Sequence, residues 1–525
     1  MSATTFPSSL TVTPDGAYTV IGYNGGLITV FSNTSGKLIP GFSGGSGTVQ
    51  SLAASTDGRF LLSGASDQTV RLWEMRTGKN LLSIFHSNDN EWVAWTPEGF
   101  FDASENGSKY IGYHINRGKN NAADYISVAQ VYDLFYRPDL VQKKIAGESL
   151  QQYADRIDIK HVIKSGLPPR VAILSPDRNK KSKARDVTLR YRLCDQGGGI
   201  GKAQIRINGI TIGASQNGRA LKRKNAAGKV SSCREYDRLL SLQPGNNRIS
   251  LSAYNRNGDI ESPATSVTLA YKGKQKRPDL HVLAIAVDRY RDGDLRLKYS
   301  RKDADAIVSA LGNGGKKLFG QVHRYTLYDD EVRKQQISNI FDKVSKNARP
   351  EDVFVLYVAG HGVTSKDDGN YYYLPVNFRY TSDAAITKQA ISNDFFQQNL
   401  AKVPAQKSLV LLDTCNSGAF SNIRTRGIEE KTAISRLVKS TGRATIMASS
   451  RDQVALEGHK DHGVFTWSLL EGMKGNAYGG DNKLTINELA DYVEETLPEL
   501  TYSKYGYEQV PQRVLQGMNF PLALR

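Results

Sequence analysis

VFVLYVAGHG, residues 353–362, and SLVLLDTCNSG, residues 408–418, decide how this chain is read. Each is an unbroken apolar run that ends on a reactive side chain, His361 or Cys415, set close to glycine. Runs without polar alternation predict strands buried on both faces of a sheet. HVLAIAV (281–287) and ATIMAS (444–449) have the same grammar, and residues 301–311 and 331–344 between them have helical spacing. Alternating β and α units imply a parallel sheet covered by helices on both sides, with the site at the carboxyl ends of the strands. His361 and Cys415, placed just after two such strands, should emerge at one rim. A thiol with an imidazole in reach is an activated nucleophile pair: the thiolate attacks a carbonyl and the imidazole protonates the leaving amine. Backbone N–H groups near Gly362 and Cys415 could hold the oxyanion.

Outward from that half, the chain has 525 residues, a length that suggests three or four domains. Residues 9–37, SLTVTPDGAYTVIGYNGGLITVFSNTSGK, align without a gap on SLAASTDGRFLLSGASDQTVRLWEMRTGK, 42 residues later. Short strands at a period near 40–45 mark propeller blades, and the repeat resembles WD-repeat proteins. A third partial copy begins at Thr96-Pro97-Glu98-Gly99. So few blades cannot close a ring. Residues 119–166 read as one or two linker helices that bury Val128, Val131, Leu134 and Phe135 and end before the breaker Gly166-Leu167-Pro168-Pro169. Residues 167–273 switch to period two, with stretches such as VTLRYRL and NRISLSAYN, which predicts a β-sandwich of immunoglobulin type.

Charge is unevenly placed. The net charge is +17, and residues 170–276 hold 22 Lys/Arg against 7 Asp/Glu. The excess therefore sits on the sandwich, in the loops 178–183 and 222–224, where it suits an acidic partner surface. Interleaved exposed aromatics are missing there, so nucleic acid is a poor partner. The three cysteines, Cys194, Cys233 and Cys415, are too few for a disulfide framework and fit a reducing compartment, with free thiols the default and a Cys194–Cys233 bridge left open. No run of 18 apolar residues and no secretory signal is visible, so a cytoplasmic protein that avoids membranes is expected. No Cys/His spacing suits zinc.

The segments YVAGHG and LLDTCNSG resemble the two signature segments of the caspase superfamily, and the resemblance runs from about residue 280 to the C-terminus. LKYSRKDA (297–304), YYLP (372–375), SSRDQ (449–453), GVFT (463–466) and NFPLA (519–523) are similar to metacaspases and bacterial members. The resemblance implies a multidomain bacterial cysteine endopeptidase with a His361–Cys415 dyad and a protein substrate. It also bears on specificity: animal caspases carry Gln in the segment where this chain has Asp413, and metacaspases carry Asp. Asp303 matches the second acid of the metacaspase pocket, and Asp452 is placed with them in substrate binding. Two carboxylates on one cavity attract guanidinium or ammonium, so cleavage after Arg or Lys is implied. The bland alternative has Asp303 capping its helix and Asp413 bonding backbone. Ala359 stands where metacaspases often have a hydroxyl residue.

The family often splits its catalytic domain after the cysteine strand, and residues 420–443 here contain Arg424 and Arg426 as candidate self-cleavage sites. No cofactor is expected. Calcium is raised only weakly, by Asp367-Asp368 and by residues 479–488, whose register puts Ala477 and Asn482 where an EF-hand needs its first ligand and its glycine. That stretch reads as a helix start. The fold class is therefore multidomain: propeller-like repeats (1–118), a helical linker (119–166), a basic β-sandwich (167–273) and an α/β caspase-like domain (278–525). A silent scaffold that binds protein through its β domains is the competing reading, and an intact dyad argues against it.

Overall fold

The computed structural model describes the chain apart from residues 1–4, 43–44, 117–118, 120–121, 178–180, 214–231, 275, 366–369, 417–434, 436–437, 439–440, 449–456 and 516–518, and apart from the side chains of residues 383, 415, 416 and 457. It divides into two compact units, residues 1–166 and 167–525.

In the first unit each 42-residue repeat forms an antiparallel sheet. The strands Pro7–Val12, Tyr18–Tyr23, Ile28–Ser32 and Leu38–Ile39 make the first. The second begins with Val49–Ala54 and has six strands, because Trp92–Trp95 and Phe101–Ala103 join its edge instead of starting another blade. Alternate residues Val20, Ile28, Val30, Leu61 and Trp73 fill the core that the sheets share. No closed ring is formed among the described residues. The segment read as one or two helices is more broken: a strand, Asp124–Ser127, is followed by the short helices Tyr132–Phe135, Pro138–Ile145, Gln151–Ala154 and Ile159–Lys164. Pro138 opens the second, and Gly147 at φ 87 ends that stretch of helix.

The second unit opens with two sheets of three and five strands around a core of Leu189, Tyr191, Leu193, Ile207, Leu240, Ile249, Leu251 and Val267. In the three-stranded sheet Asp186–Gln196 pairs with Cys233–Ser241 in a register that sets Cys194 opposite Cys233. The two are joined by a disulfide, with Cα atoms 3.8 Å apart. The expectation of free thiols is thereby corrected: strand register brings together cysteines 39 residues apart. Ion pairs Arg190–Asp237 and Arg192–Glu235 lie on the same ladder.

The rest of the unit is a parallel sheet in the order Val322–Tyr328, Leu280–Ala286, Val353–Thr364, Lys407–Asn416, Ala444–Met447, with Gln512–Val514 antiparallel at the end. Side chains alternate between two layers. Leu283, Ile285, Phe354, Leu356 and Val410 meet the helices Lys334–Asn347 and Asn393–Leu400. Val282, Ala284, Val355, Tyr357 and Leu409 meet Ser300–Gly315, Val464–Glu471 and Ile486–Tyr505. Burial on both faces explains the uninterrupted apolar runs. Thr485 N-caps the last of these helices and Glu488 returns to the Thr485 N–H, so residues 479–488 are the helix start their sequence suggests.

Candidate active site

The histidine strand does not stop before its histidine. Val353–Thr364 runs through His361, because residues 362–364 pair back on Tyr371–Tyr373, and Lys407–Asn416 likewise runs through Cys415. Parallel register sets His361 directly opposite Cys415, and neighbouring strands lie about 4.8 Å apart. Glycine is required next to the histidine. Gly360 has φ 138, and a Cβ there would come 2.8 Å from Tyr290 Oη and 2.9 Å from Tyr373 Oη. A Cβ on Gly362 would collide with the Tyr371 ring.

His361 is held from three sides. Its backbone N–H donates to Tyr290 Oη at 2.8 Å, the Tyr290 ring packs on the imidazole at 5.0 Å, and Nε2 lies 2.8 Å from the Leu295 carbonyl. A carbonyl only accepts, so Nε2 carries the proton and Nδ1 is left with its lone pair. Nδ1 is buried and has no hydrogen-bond partner among the described residues. Burial pushes the imidazole down to about 4, partly opposed by the Leu295 bond, so the ring is neutral at pH 7. A neutral imidazole with an unused buried lone pair is suited to take a proton.

The two carboxylates converge. Asp303, on the first turn of Ser300–Gly315, is 2% exposed. Its Oδ2 accepts from Gly463 N at 2.9 Å and its Oδ1 from His462 Nδ1 at 2.5 Å. The helix is capped by no side chain, so the capping reading of Asp303 does not hold. Asp413, two residue pairs below the Cys415–His361 pair, accepts from Tyr357 Oη at 3.2 Å and Thr466 Oγ1 at 2.5 Å, both on Oδ2. Those donors are side chains, not the backbone. Burial pushes the Asp413 carboxyl up against the pull of its two hydroxyl donors, although the residue keeps some exposure. A Cβ on Gly463 would stand 3.0 Å from Asp303 Oδ2 and 3.4 Å from Asp413 Oδ2. The space over Gly463 is therefore flanked by both acids.

Two family models match the sequence: one described as a caspase domain covers residues 280–520, and one described as a WD domain, G-beta repeat, covers residues 36–74. The chain carries a caspase domain behind an N-terminal WD repeat. Among solved structures, one titled as that of U3-55K is 21% identical, with 18% of this chain and 38% of that chain covered and a TM-score of 0.15. A computationally designed protein, Ika4, is 18% identical over 24% of this chain and 88% of its own, with a TM-score of 0.16.

Of the residues singled out by sequence, the caspase domain brings His361, Gly362, Asp303, Asp413 and the Cys415 backbone to one rim. Asp452, Arg424 and Arg426 lie outside the described residues, as do Asp367 and Asp368. Among the described residues no group of three or more His, Cys, Asp or Glu is placed to hold a metal. Asp481 pairs with Lys483 and Glu488 is taken up by the helix cap. Tyr290, Tyr357, Thr466 and His462 escaped the sequence reading as site residues. Tyr357 had a signal: it is the one polar tip in an apolar run, and a buried phenol needs a partner.

Proposed function

We propose that the caspase domain is an active cysteine endopeptidase in which Cys415 attacks the scissile carbonyl and His361 transfers the proton. The observation that carries this is the direct Cys415–His361 register together with the unpartnered, neutral Nδ1. The Cys415 thiol gives its proton to the imidazole, and the thiolate forms the C–S bond of a tetrahedral intermediate. Its oxyanion is offered backbone N–H groups around Gly362 and Cys415. The C–N bond then breaks as the imidazolium protonates the leaving amine, and water attacks the thioester to restore the free thiol.

Asp303 and Asp413 on either side of Gly463 favour a cationic side chain in the pocket, hence cleavage after Arg or Lys, with Asp452 a further candidate in substrate binding. Arg binds the paired carboxylates better than Lys because its fork matches them. Turnover of Arg, Lys and Asp fluorogenic peptides by the native and Cys415→Ala proteins tests both statements. Preferential turnover of the Asp peptide would reverse the pocket assignment, and unreduced turnover by Cys415→Ala would remove the dyad.

Self-cleavage at Arg424 or Arg426 is part of the same reading, since both suit an acidic pocket. Mass spectrometry after incubation should show fragments in the native protein that Cys415→Ala and Arg424→Ala/Arg426→Ala lack. The basic sandwich and the blades are proposed as surfaces for protein partners. Lys181 and Lys183 are exposed, while Lys222, Arg223 and Lys224 lie outside the described residues. No described helix is long and apolar enough to cross a membrane. The disulfide removes the argument for a reducing compartment that free thiols supplied.

A further inference from the structure

Just before the Val464–Glu471 helix lies a hairpin, Glu457–His459 paired with His462–Gly463. Its two-residue turn is Lys460-Asp461, both at positive φ, 47 and 66. Neither is glycine, so the turn is one that its surroundings must hold in place. They do so at several points. His459 is 3% exposed, accepts from Lys504 Nζ at 2.7 Å and stands edge-on to Trp467 at 4.5 Å. Lys302 lies 3.4 Å from Asp461. The outcome of this bracing is that two consecutive groups, the His462 ring and the Gly463 N–H, reach both oxygens of Asp303.

Resting on the acidic-pocket reading, we infer that His462 is a specificity-positioning residue: in its neutral form it aims Asp303 at the substrate cation, and in its protonated form it cancels that acid. The first half follows from geometry. A carboxylate fixed on both oxygens cannot turn away to a competing donor, and its charge stays beside Gly463. The second half follows from charge. Protonation at Nε2 turns the ring into a cation beside Asp303, so an arriving guanidinium meets a neutral pair instead of an anion. Affinity for a cationic side chain therefore falls as pH falls through the His462 titration.

The other groups facing this ring set where that happens. Lys302 and Asp303 face it from the Ser300–Gly315 helix, Asp461 from its own hairpin, and Lys474 from the turn after Val464–Glu471. Asp413 and Tyr357 lie beyond, on the sheet. Burial lowers the His462 imidazole, Lys302 and Lys474 add to that, and Asp461 opposes it. Asp413 is a second titratable group at the pocket, pushed up by burial, so the histidine must be separated from it by substitution.

The test measures binding, not turnover. A fluorescein-labelled pentapeptide with Arg at the cleavage position, and its Asp counterpart, are titrated by anisotropy against Cys415→Ala protein between pH 5 and 8. The Arg peptide should weaken by about 10-fold between pH 8 and pH 5, with most of the loss below the ordinary imidazole value because burial lowers this ring. In Cys415→Ala/His462→Asn the side-chain amide can still donate to Asp303 but does not titrate. Its affinity at pH 8 should stay within about 3-fold, and the midpoint should move down toward the carboxylate range. Cys415→Ala/His462→Ala should bind the Arg peptide about 10-fold more weakly at pH 8 while staying folded at the assay temperature, with a melting temperature a few degrees lower because a buried carboxylate loses a donor. An unmoved midpoint in His462→Asn, or full affinity in His462→Ala, overturns the inference while leaving the acidic pocket intact. Equal or tighter binding of the Asp peptide at pH 8 overturns both.

Discussion

The parallel strands of the caspase domain end in polar clusters at both tips, and the two clusters are built in opposite ways. At the amino tips Asp352 is fully buried, yet Arg349 donates to it from N at 2.7 Å and from Nη2 at 2.8 Å, Asp279 N donates at 2.9 Å, and His281 Nε2 lies 3.4 Å away. Burial alone would raise this carboxyl, but its bonds, led by His281 and Arg349, bring it down to about 2. At the carboxyl tips His361 Nδ1 has no partner among the described residues and Asp413 is pushed up. One end gathers its donors around one buried carboxylate, although His281 Nε2, 3.4 Å from it, makes no hydrogen bond of good geometry among the described residues. The other keeps its polar groups available, which is where chemistry on a substrate can use them. The carboxyl rim is thus expected to govern rate and specificity, and the amino end stability.

The largest effect expected at the rim comes from His361→Ala. Peptide turnover should fall by about 10³–10⁴-fold with little change in melting temperature. NMR titration of the histidine side chains should place the His361 midpoint near 4, and a midpoint near 6.5 would show a ring open to water.

Asp352→Ala should do the reverse. It leaves Arg349 and His281 without their shared anion, at a cost of about 3 kcal/mol in a denaturant midpoint. Turnover per titrated active site should be unchanged. The folded carboxyl lies below its unfolded value, so its contribution is present above about pH 4 and is lost as pH falls toward about 2. Loss of turnover without loss of stability in this variant would erase the contrast between the two ends.

Gly463→Ala sharpens the rim's side of the comparison. Its methyl would sit 3.0 Å from Asp303 Oδ2 and 3.4 Å from Asp413 Oδ2. KM for Arg peptides should rise about 10-fold with kcat nearly kept, the pattern of lost binding rather than lost chemistry. An unchanged KM would show that the substrate does not use the space between the acids.

How much of this could be read from the sequence differs between the two ends. The strands, the sheet and the His361–Cys415 rim were legible, because unbroken apolar runs and terminal glycines are local signals. The blade repeat was legible for the same reason. The amino-end cluster was not, since Asp279, His281, Arg349 and Asp352 come from separate segments that only strand register assembles. Cys194 and Cys233 are a second case of pairing by register across 39 residues. Asp303 and Asp413 were found through resemblance, while their donors His462, Tyr357 and Thr466 come from three other elements and left only the oddly placed tyrosine as a clue.

The smallest expected effect tests whether the amino end also fastens the sandwich. Arg185 of the sandwich makes a bidentate pair with Glu351, the neighbour of Asp352, at 2.9 and 2.8 Å. The two partners are unequally covered: the Arg185 side chain is 30% exposed and that of Glu351 only 7%. The two changes do not remove the same bonds: Arg185→Ala loses both, whereas Glu351→Gln keeps one acceptor oxygen for the guanidinium. Arg185→Ala strands a buried carboxylate, whereas Glu351→Gln leaves a guanidinium that can turn to water. Arg185→Ala should therefore cost about 1 kcal/mol, or about 1–2 °C in melting temperature, and Glu351→Gln less than half of that. Arg185→Lys keeps the charge but not the fork, and should fall between the two. The double variant should cost no more than Arg185→Ala alone, since the second change removes the stranded charge. Neither variant should alter turnover of an Arg peptide. A larger loss from Glu351→Gln than from Arg185→Ala would mean that Arg185 is the buried partner in solution, and that the sandwich sits more tightly on the amino end than these exposures describe.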